Sequence, residues 1–366
     1  MWRTWNLNNL LPMVLLLALV GQSMAAELPK HPEKLKTEKA VDAYFAVVRD
    51  GEQTPVKRNY AAAQIIKLGK PALAKLIQLY EKGTPDERGY LALVLGAMDR
   101  TVESEAVLLN DLKKNGLAVH PNVIKALGDL GTGEAAEPLL ELLADAPEKL
   151  RARILYALGK VADEKATKAL WEGADDPDRL VRLACANGIV RLLVRNKSAS
   201  SDAAGSSSQD RQTRRKEAAK LYDSLLGEVL RYCEKGKSQD VRLVLLRGLG
   251  KLNESRAVST LKWTLTDSSA AVRAQSARTL GQLKADAAVD DLIDVLTDEN
   301  AGVRHAVLGA LVAIGDDDCV GVLIDLLDDA EPSQRKEMVK VLRKLTGQSF
   351  GDSPDAWRNW WVSREH

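Results

Sequence analysis

Residues 267–311 read DSSAAVRAQSARTLGQLKADAAVDDLIDVLTDENAGVRHAVLGAL. This stretch holds one phrase twice. Asp267 precedes Val272-Arg273 and Leu280-Gly281, and Asp298 precedes Val303-Arg304 and Leu311. Arg273 and Arg304 are 31 residues apart, and a third copy (Asp329, Arg335, Leu342) follows after the same interval. A fixed period of that size is the mark of stacked repeats. Towards the N-terminus the Arg position falls at Arg242, Arg182 and Arg151, and at His120 in its place. An Asp six residues ahead is kept in Asp145/Arg151, Asp176/Arg182, Asp267/Arg273, Asp298/Arg304 and Asp329/Arg335, but not before His120 or Arg242.

Each copy contains two amphipathic segments. Val272, Ala277, Leu280 and Leu283 share one helical face, and Ala288, Leu292, Ile293 and Leu296 share another. One helix pair cannot bury both faces, whereas a stack of pairs buries a continuous core. Aromatic residues make up only 4% of the chain, and good helix formers dominate. No long run of alternating β-branched residues argues for a sheet. The expected fold is all-α: an α-solenoid of eight to nine helix pairs.

The phrase resembles HEAT-like repeats, in the short form found in bacterial phycobilin-lyase-type HEAT proteins. The resemblance is strong from Val119 to Leu345 and weaker from Thr37 to Leu117. It implies a helix A, a turn and a helix B in each unit. It also implies that the five Asp/Arg pairs sit at the turns and join neighbouring repeats into a ladder. Helix B would line the concave surface.

The ends and the middle depart from the period. Residues 1–25 read as a secretory signal, with Arg3, an apolar run from Leu10 to Val20 and Ser23-Met24-Ala25 as a cleavage site. That run is too short to span a bilayer comfortably. An exported protein is expected, in the periplasm, cell envelope or extracellular space, with no transmembrane span once the signal is cleaved. Residues 26–38 form a polar lead-in, and the first repeats occupy 39–195. Arg182 and Arg242 are 60 residues apart, so an insertion separates them. Residues 196–213, rich in Ser and Ala, are too poor in apolar side chains to order themselves. Repeats resume over 214–345. The tail, 346–366, places Trp357, Trp360 and Trp361 on one helical face, as a cap on the last repeat or as an exposed docking patch. Cys185, Cys233 and Cys319 read as buried helix residues, with a Cys185–Cys233 bridge as the alternative.

Little in the chain points to chemistry. The net charge is +1, which argues against a generally basic nucleic-acid binder. His31, His120, His305 and His366 lie in no metal-binding motif, and no nucleophile or phosphate-loop signature is present. No catalytic, metal or cofactor residue is assigned. The register does place two columns on the polar side of helix B: Lys125, Tyr156, Asn187, Arg247, Arg278, Lys340 and, one turn on, Lys160, Arg191, Lys251, Gln282, Lys344. They are mostly basic, while helix A carries Asp290, Asp291, Asp294, Asp325 and Asp328. The expectation is a non-catalytic extracytoplasmic scaffold whose concave face binds a protein partner, an acidic segment or anionic polymer rather than nucleic acid. A phycobilin-lyase-like enzyme and an envelope or polysaccharide-associated structural protein are the alternatives.

Overall fold

The computed structural model describes residues 37–98, 101–161, 164–201, 209–315 and 318–364. The expected signal segment and the lead-in up to residue 36 lie outside the described residues. So do 202–208 of the Ser/Ala-rich segment. The described residues form nineteen α-helices and no strand. The chain divides between Leu170 and Trp171 into two compact units. The Ser/Ala-rich segment thus falls inside the second unit and does not mark the boundary.

In the first unit α1 (Thr37–Arg49), α3 (Lys70–Lys82), α5 (Val102–Asn115) and α7 (Ala136–Ala144) are the A helices. Their B partners are α2 (Pro55–Leu68), α4 (Pro85–Ala97), α6 (Pro121–Leu130) and α8 (Glu148–Leu158). Helix α9 (Glu164–Glu172) crosses the unit boundary. The second unit has B helices α10 (Arg179–Ser201), α12 (Gln239–Lys251), α14 (Ala270–Leu283), α16 (Ala301–Ile314) and α18 (Pro332–Thr346). Its A helices are α11 (Gln209–Lys235), α13 (Val258–Thr264), α15 (Val289–Asp294) and α17 (Asp318–Asp325), and α19 (Pro354–Val362) ends the chain. Within each unit the B helices pack in sequence on one another, forming one layer, with the A helices behind them.

Local chemistry sets the helix ends. Thr84 caps α4 in a reciprocal box with Glu87. Gly131, Gly315 and Gly347 end α6, α16 and α18 with φ of 67°, 80° and 72°, a left-handed conformation that glycine adopts without strain. The Leu-Gly of the repeat phrase has a different cause. A Cβ on Gly128 would stand 2.7 Å from Ala157 Cα, and one on Gly281 would stand 2.7 Å from Ala310 Cα. These glycines let consecutive B helices touch backbone to backbone.

Arg182, Arg242 and Arg273 tie their repeats to the next, and the wiring is specific. Arg273 donates to the carbonyl of Asp267, its own repeat's Asp, at 2.8 Å. Its other nitrogens reach forward to the Asp298 carboxylate at 2.6 and 2.9 Å. Arg304 likewise donates to the Asp298 carbonyl at 2.7 Å. Arg242, which lacks an Asp six residues before it, still pairs with Asp267. The carboxylate partner is therefore the next repeat's Asp, 25 residues on, and not the one six residues back. Arg182 donates to the Asp176 carbonyl and, across the inserted segment, to Asp240 at 3.1 Å. At the far end Asp329 is exposed and Arg335 donates to the Leu327, Asp328 and Ala330 carbonyls. Asp145, in the first unit, is exposed.

The insertion corrects one expectation. Helix α10 runs on to Ser201 and α11 begins at Gln209, so residues 196–201 and 209–213 are helical, not disordered. Lys197 on α10 helps to hold this extension: it donates to the Leu252 carbonyl at 2.7 Å. Beside it Glu254, only 4% exposed, accepts from Tyr222 and from Arg256 at 2.9 Å. Burial raises the Glu254 carboxyl, but those hydrogen bonds outweigh it and hold it at about 2. The first unit has a counterpart, in which Tyr80 donates to buried Asp111 at 2.8 Å.

The tail is a cap. Trp357 is fully buried, donates to the Gly351 carbonyl at 3.0 Å and meets Phe350 edge-on at 5.0 Å. Trp360 and Trp361 are half-buried, and Arg364 lies over both rings. Helix α19 packs against α17 and α18's own repeat is thereby closed. The three cysteines are buried free thiols, so no Cys185–Cys233 bridge forms.

Three outcomes are expected. Asp298→Ala leaves Arg273 buried without its carboxylate and lowers stability by about 3–5 kcal/mol in urea titrations, whereas the apolar pair Arg273→Met/Asp298→Leu recovers most of that loss. Trp357→Ala costs about 3–5 kcal/mol locally, read as new protease cleavage in the tail with the helical circular dichroism of the remainder kept. Because the Glu254 carboxyl is depressed in the fold, its stabilisation is present above about 4.5 and is lost as pH falls towards about 2. The melting temperature of the native protein should fall through that window, and that of Glu254→Gln should fall less steeply.

Candidate binding surface

The two columns of helix B fare differently in the two units. In the first, Lys125 on α6 donates to Asp129 at 2.5 Å, and Lys160 closes on the same carboxylate from the next repeat. Lys160 Nζ also lies 5.0 Å from the centre of the Tyr156 ring. One Asp carboxylate therefore binds both lysines, and Lys125, Tyr156 and Lys160 are all half-buried.

In the second unit the columns are exposed from α12 onward. Asn187 on α10 is exposed and donates to the Leu183 carbonyl of its own helix, and Arg191 is half-buried beside it. Arg247 and Lys251 on α12, Arg278 and Gln282 on α14, and Lys340 and Lys344 on α18 are all exposed. None of these five cations makes an ion pair among the described residues. The helices themselves explain why. Neither α14 (AAVRAQSARTLGQL) nor α16 (AGVRHAVLGALVAI) contains an acidic residue. Asp240 on α12 is held by Arg179 and Arg182, and Glu337 on α18 lies 3.8 Å from His305 Nδ1.

The same columns cross α16 at Gly309 and Ala313. A Cβ at Gly309 would meet nothing within 4 Å, so the position faces open space between the Arg278 and Lys340 rows. The A layer carries the opposite charge. Asp290, Asp294 and Asp325 are exposed there, while Asp291 pairs with Lys262 at 2.7 Å and Asp328 with Arg358.

Perturbed titratable groups lie elsewhere. Burial raises the hydroxyls of Tyr80, Tyr90, Tyr222 and Tyr232 and pushes the Cys185 thiol up to about 12. Tyr80, Tyr222 and Cys185 are buried in the core, and Tyr90 and Tyr232 are half-buried. His120 caps α6 by accepting from Asn122 N–H at 3.2 Å, and burial lowers its pKa. Among the described residues no three His, Cys, Asp or Glu side chains are grouped to hold a metal ion, and no helix is long and apolar enough to cross a membrane.

Two polar clusters escape the repeat phrase, Tyr80–Asp111–Arg88 and Tyr222–Glu254–Arg256. The available signal was their spacing: Tyr80 to Asp111 is 31 residues and Tyr222 to Glu254 is 32. Arg88 also stands 32 residues before His120, one repeat ahead of the register's apparent start.

Comparison with known proteins agrees with this architecture. HEAT repeats match over residues 136–221, 228–311 and 289–356, and the PBS lyase HEAT-like repeat matches residues 122–145. No curated protein sequence matches the chain. Among solved structures, human deoxyhypusine hydroxylase in complex with glycerol is similar at 22% identity, over 87% of this chain and 99% of that one, with a TM-score of 0.31. The complex of CpcE and CpcF of phycocyanin lyase from a Nostoc species is similar at 21% identity, over 73% of this chain and 97% of that one, with a TM-score of 0.32. With HEAT repeats matched over more than half its length, and with helix pairs stacked at a 31-residue period, this chain belongs to the HEAT-repeat family.

Proposed function

We propose that the chain is a non-catalytic scaffold that holds a protein partner on the exposed B layer of its second unit, and that the partner presents an acidic segment. The observation that carries this reading is the set of five cations, Arg247, Lys251, Arg278, Lys340 and Lys344, left without carboxylates on a layer whose central helices contain none. Like charges one turn apart, as in Arg247/Lys251 and Lys340/Lys344, each destabilise a helix by about 0.2–0.5 kcal/mol. An acidic partner relieves that repulsion and is steered in by the local field.

The same reading places the protein's work outside the cytoplasm, on the strength of the signal-like residues 1–25. It also treats the displaced pKa values as consequences of core burial rather than as tuned chemistry. A free anionic polymer would satisfy the charges too, but a protein segment can also use the apolar stems of the long basic side chains.

Crosslinking and affinity capture from intact cells test the proposal. The baits are the native chain and a variant with Arg247, Lys251, Arg278, Lys340 and Lys344 changed to Glu, both checked for native helicity. The native bait should retain a partner that the variant loses, and retention should fall as salt rises to about 1 M, where charges are screened within about 3 Å. Identical captures on both baits would remove the surface from consideration.

A further inference from the structure

The second unit spaces its exposed positions evenly. Residues 247, 278, 309 and 340 are each 31 apart, and they lie on α12, α14, α16 and α18, which pack in that order. Three are long cations, and the fourth is Gly309, open to solvent. One turn further on, the row reads Lys251, Gln282, Ala313 and Lys344. A partner crossing the helices therefore meets charge, charge, a shallow notch and charge, in that order.

Packed helices lie about 8–10 Å apart. An extended segment in the polyproline II conformation rises about 3.1 Å per residue with three residues per turn, so side chains three apart fall on one face about 9 Å apart. One helix step thus equals three residues of an extended segment. A helical segment would need roughly six residues for the same span and would present its side chains around its axis.

We infer that the B layer of the second unit reads an extended acidic segment of a partner protein, with carboxylates at positions i, i+3 and i+9 over Arg247, Arg278 and Lys340, and a bulky apolar side chain at i+6 over Gly309. This rests on the proposed acidic-partner scaffold and adds a register to it. The acidic side chains gain pairing in that register. The apolar one fills the only place in the row where no side chain projects, and it lies against Ala313 and the bare α16 backbone. The alternation also excludes a uniform polyanion as the best fit, because a charge at i+6 would find no cation over Gly309.

Labelled synthetic peptides and fluorescence anisotropy on the full chain test this. One peptide carries Glu at i, i+3 and i+9 and Leu at i+6 in an otherwise Ser/Thr background, and a second has the same composition with the four residues moved to consecutive positions. A third replaces Leu by Glu. The first should bind about tenfold tighter than either of the others at low salt. Gly309→Arg, which adds a side chain into open space at a helical position, should reverse the preference at i+6 from Leu to Glu. Equal affinities for the three peptides would overturn the register while leaving the acidic-partner reading in place. Tighter binding of a DNA duplex or of polyphosphate than of any peptide would overturn both, as would no binding by any acidic peptide.

Discussion

In the second unit a single guanidinium, at Arg182, Arg242 and Arg273, joins one repeat to the next. Arg273 accepts no alternative geometry easily: two of its nitrogens form a fork on the Asp298 carboxylate, and a third reaches back to the Asp267 carbonyl. The pair is nearly buried, with side-chain exposures of 10% and 8%. A buried pair of this kind contributes little net stability by itself, since desolvation offsets most of the attraction. Its effect is positional. The Arg donates to the turn of its own repeat and to the side chain that starts the next, so the offset between repeats is set at every rung. Asp298 in turn receives Arg273 on its carboxylate and Arg304 on its carbonyl, which makes the rungs continuous.

The glycines act on the same offset from the other side. Where Gly281 meets Ala310 and Gly128 meets Ala157, the B helices approach as closely as backbone allows. A rung of fixed reach and a seam of fixed depth leave little freedom in how one B helix lies on the next. Every position that points away from the seam then recurs with the same step. The exposed row of Arg247, Arg278, Gly309 and Lys340 is a consequence of the core's geometry, although its chemistry is free to vary.

That division explains what could be read in the chain and what could not. The first helix, with Ala40, Val41, Tyr44, Phe45 and Val48 inward, follows from periodicity alone, because burial of an apolar stripe is a local pattern. The rungs were visible as recurring Asp and Arg, but the nearer Asp in sequence is the partner only through its carbonyl. Contact across 25 residues depends on the stacking, which no local pattern encodes. The helical ends of the Ser/Ala-rich segment were missed because poor apolar content argues against an independent fold, whereas here α10 and α11 extend from helices already nucleated within the stack. Lys197 and the Glu254 cluster then hold the base of that extension. The candidate surface was half legible. Columns could be listed by register, but the capture of Lys125 and Lys160 by Asp129 is a matter of reach between two helices.

The difference between the units bears on where a partner would sit. Both present basic residues at equivalent positions, and composition alone does not separate them. In the first unit a single carboxylate within the row already serves two lysines, so an incoming acid would have to displace it and leave Asp129 without a counter-ion. In the second, the rows cross two helices that contain no acid, and nothing has to be displaced. Opposite charges in the A layer keep the net charge near zero, and they stand on the helices behind the B layer. Neutrality of the whole chain and a strongly basic face are therefore compatible, and the face that keeps its field is the one with no carboxylate inside its own row.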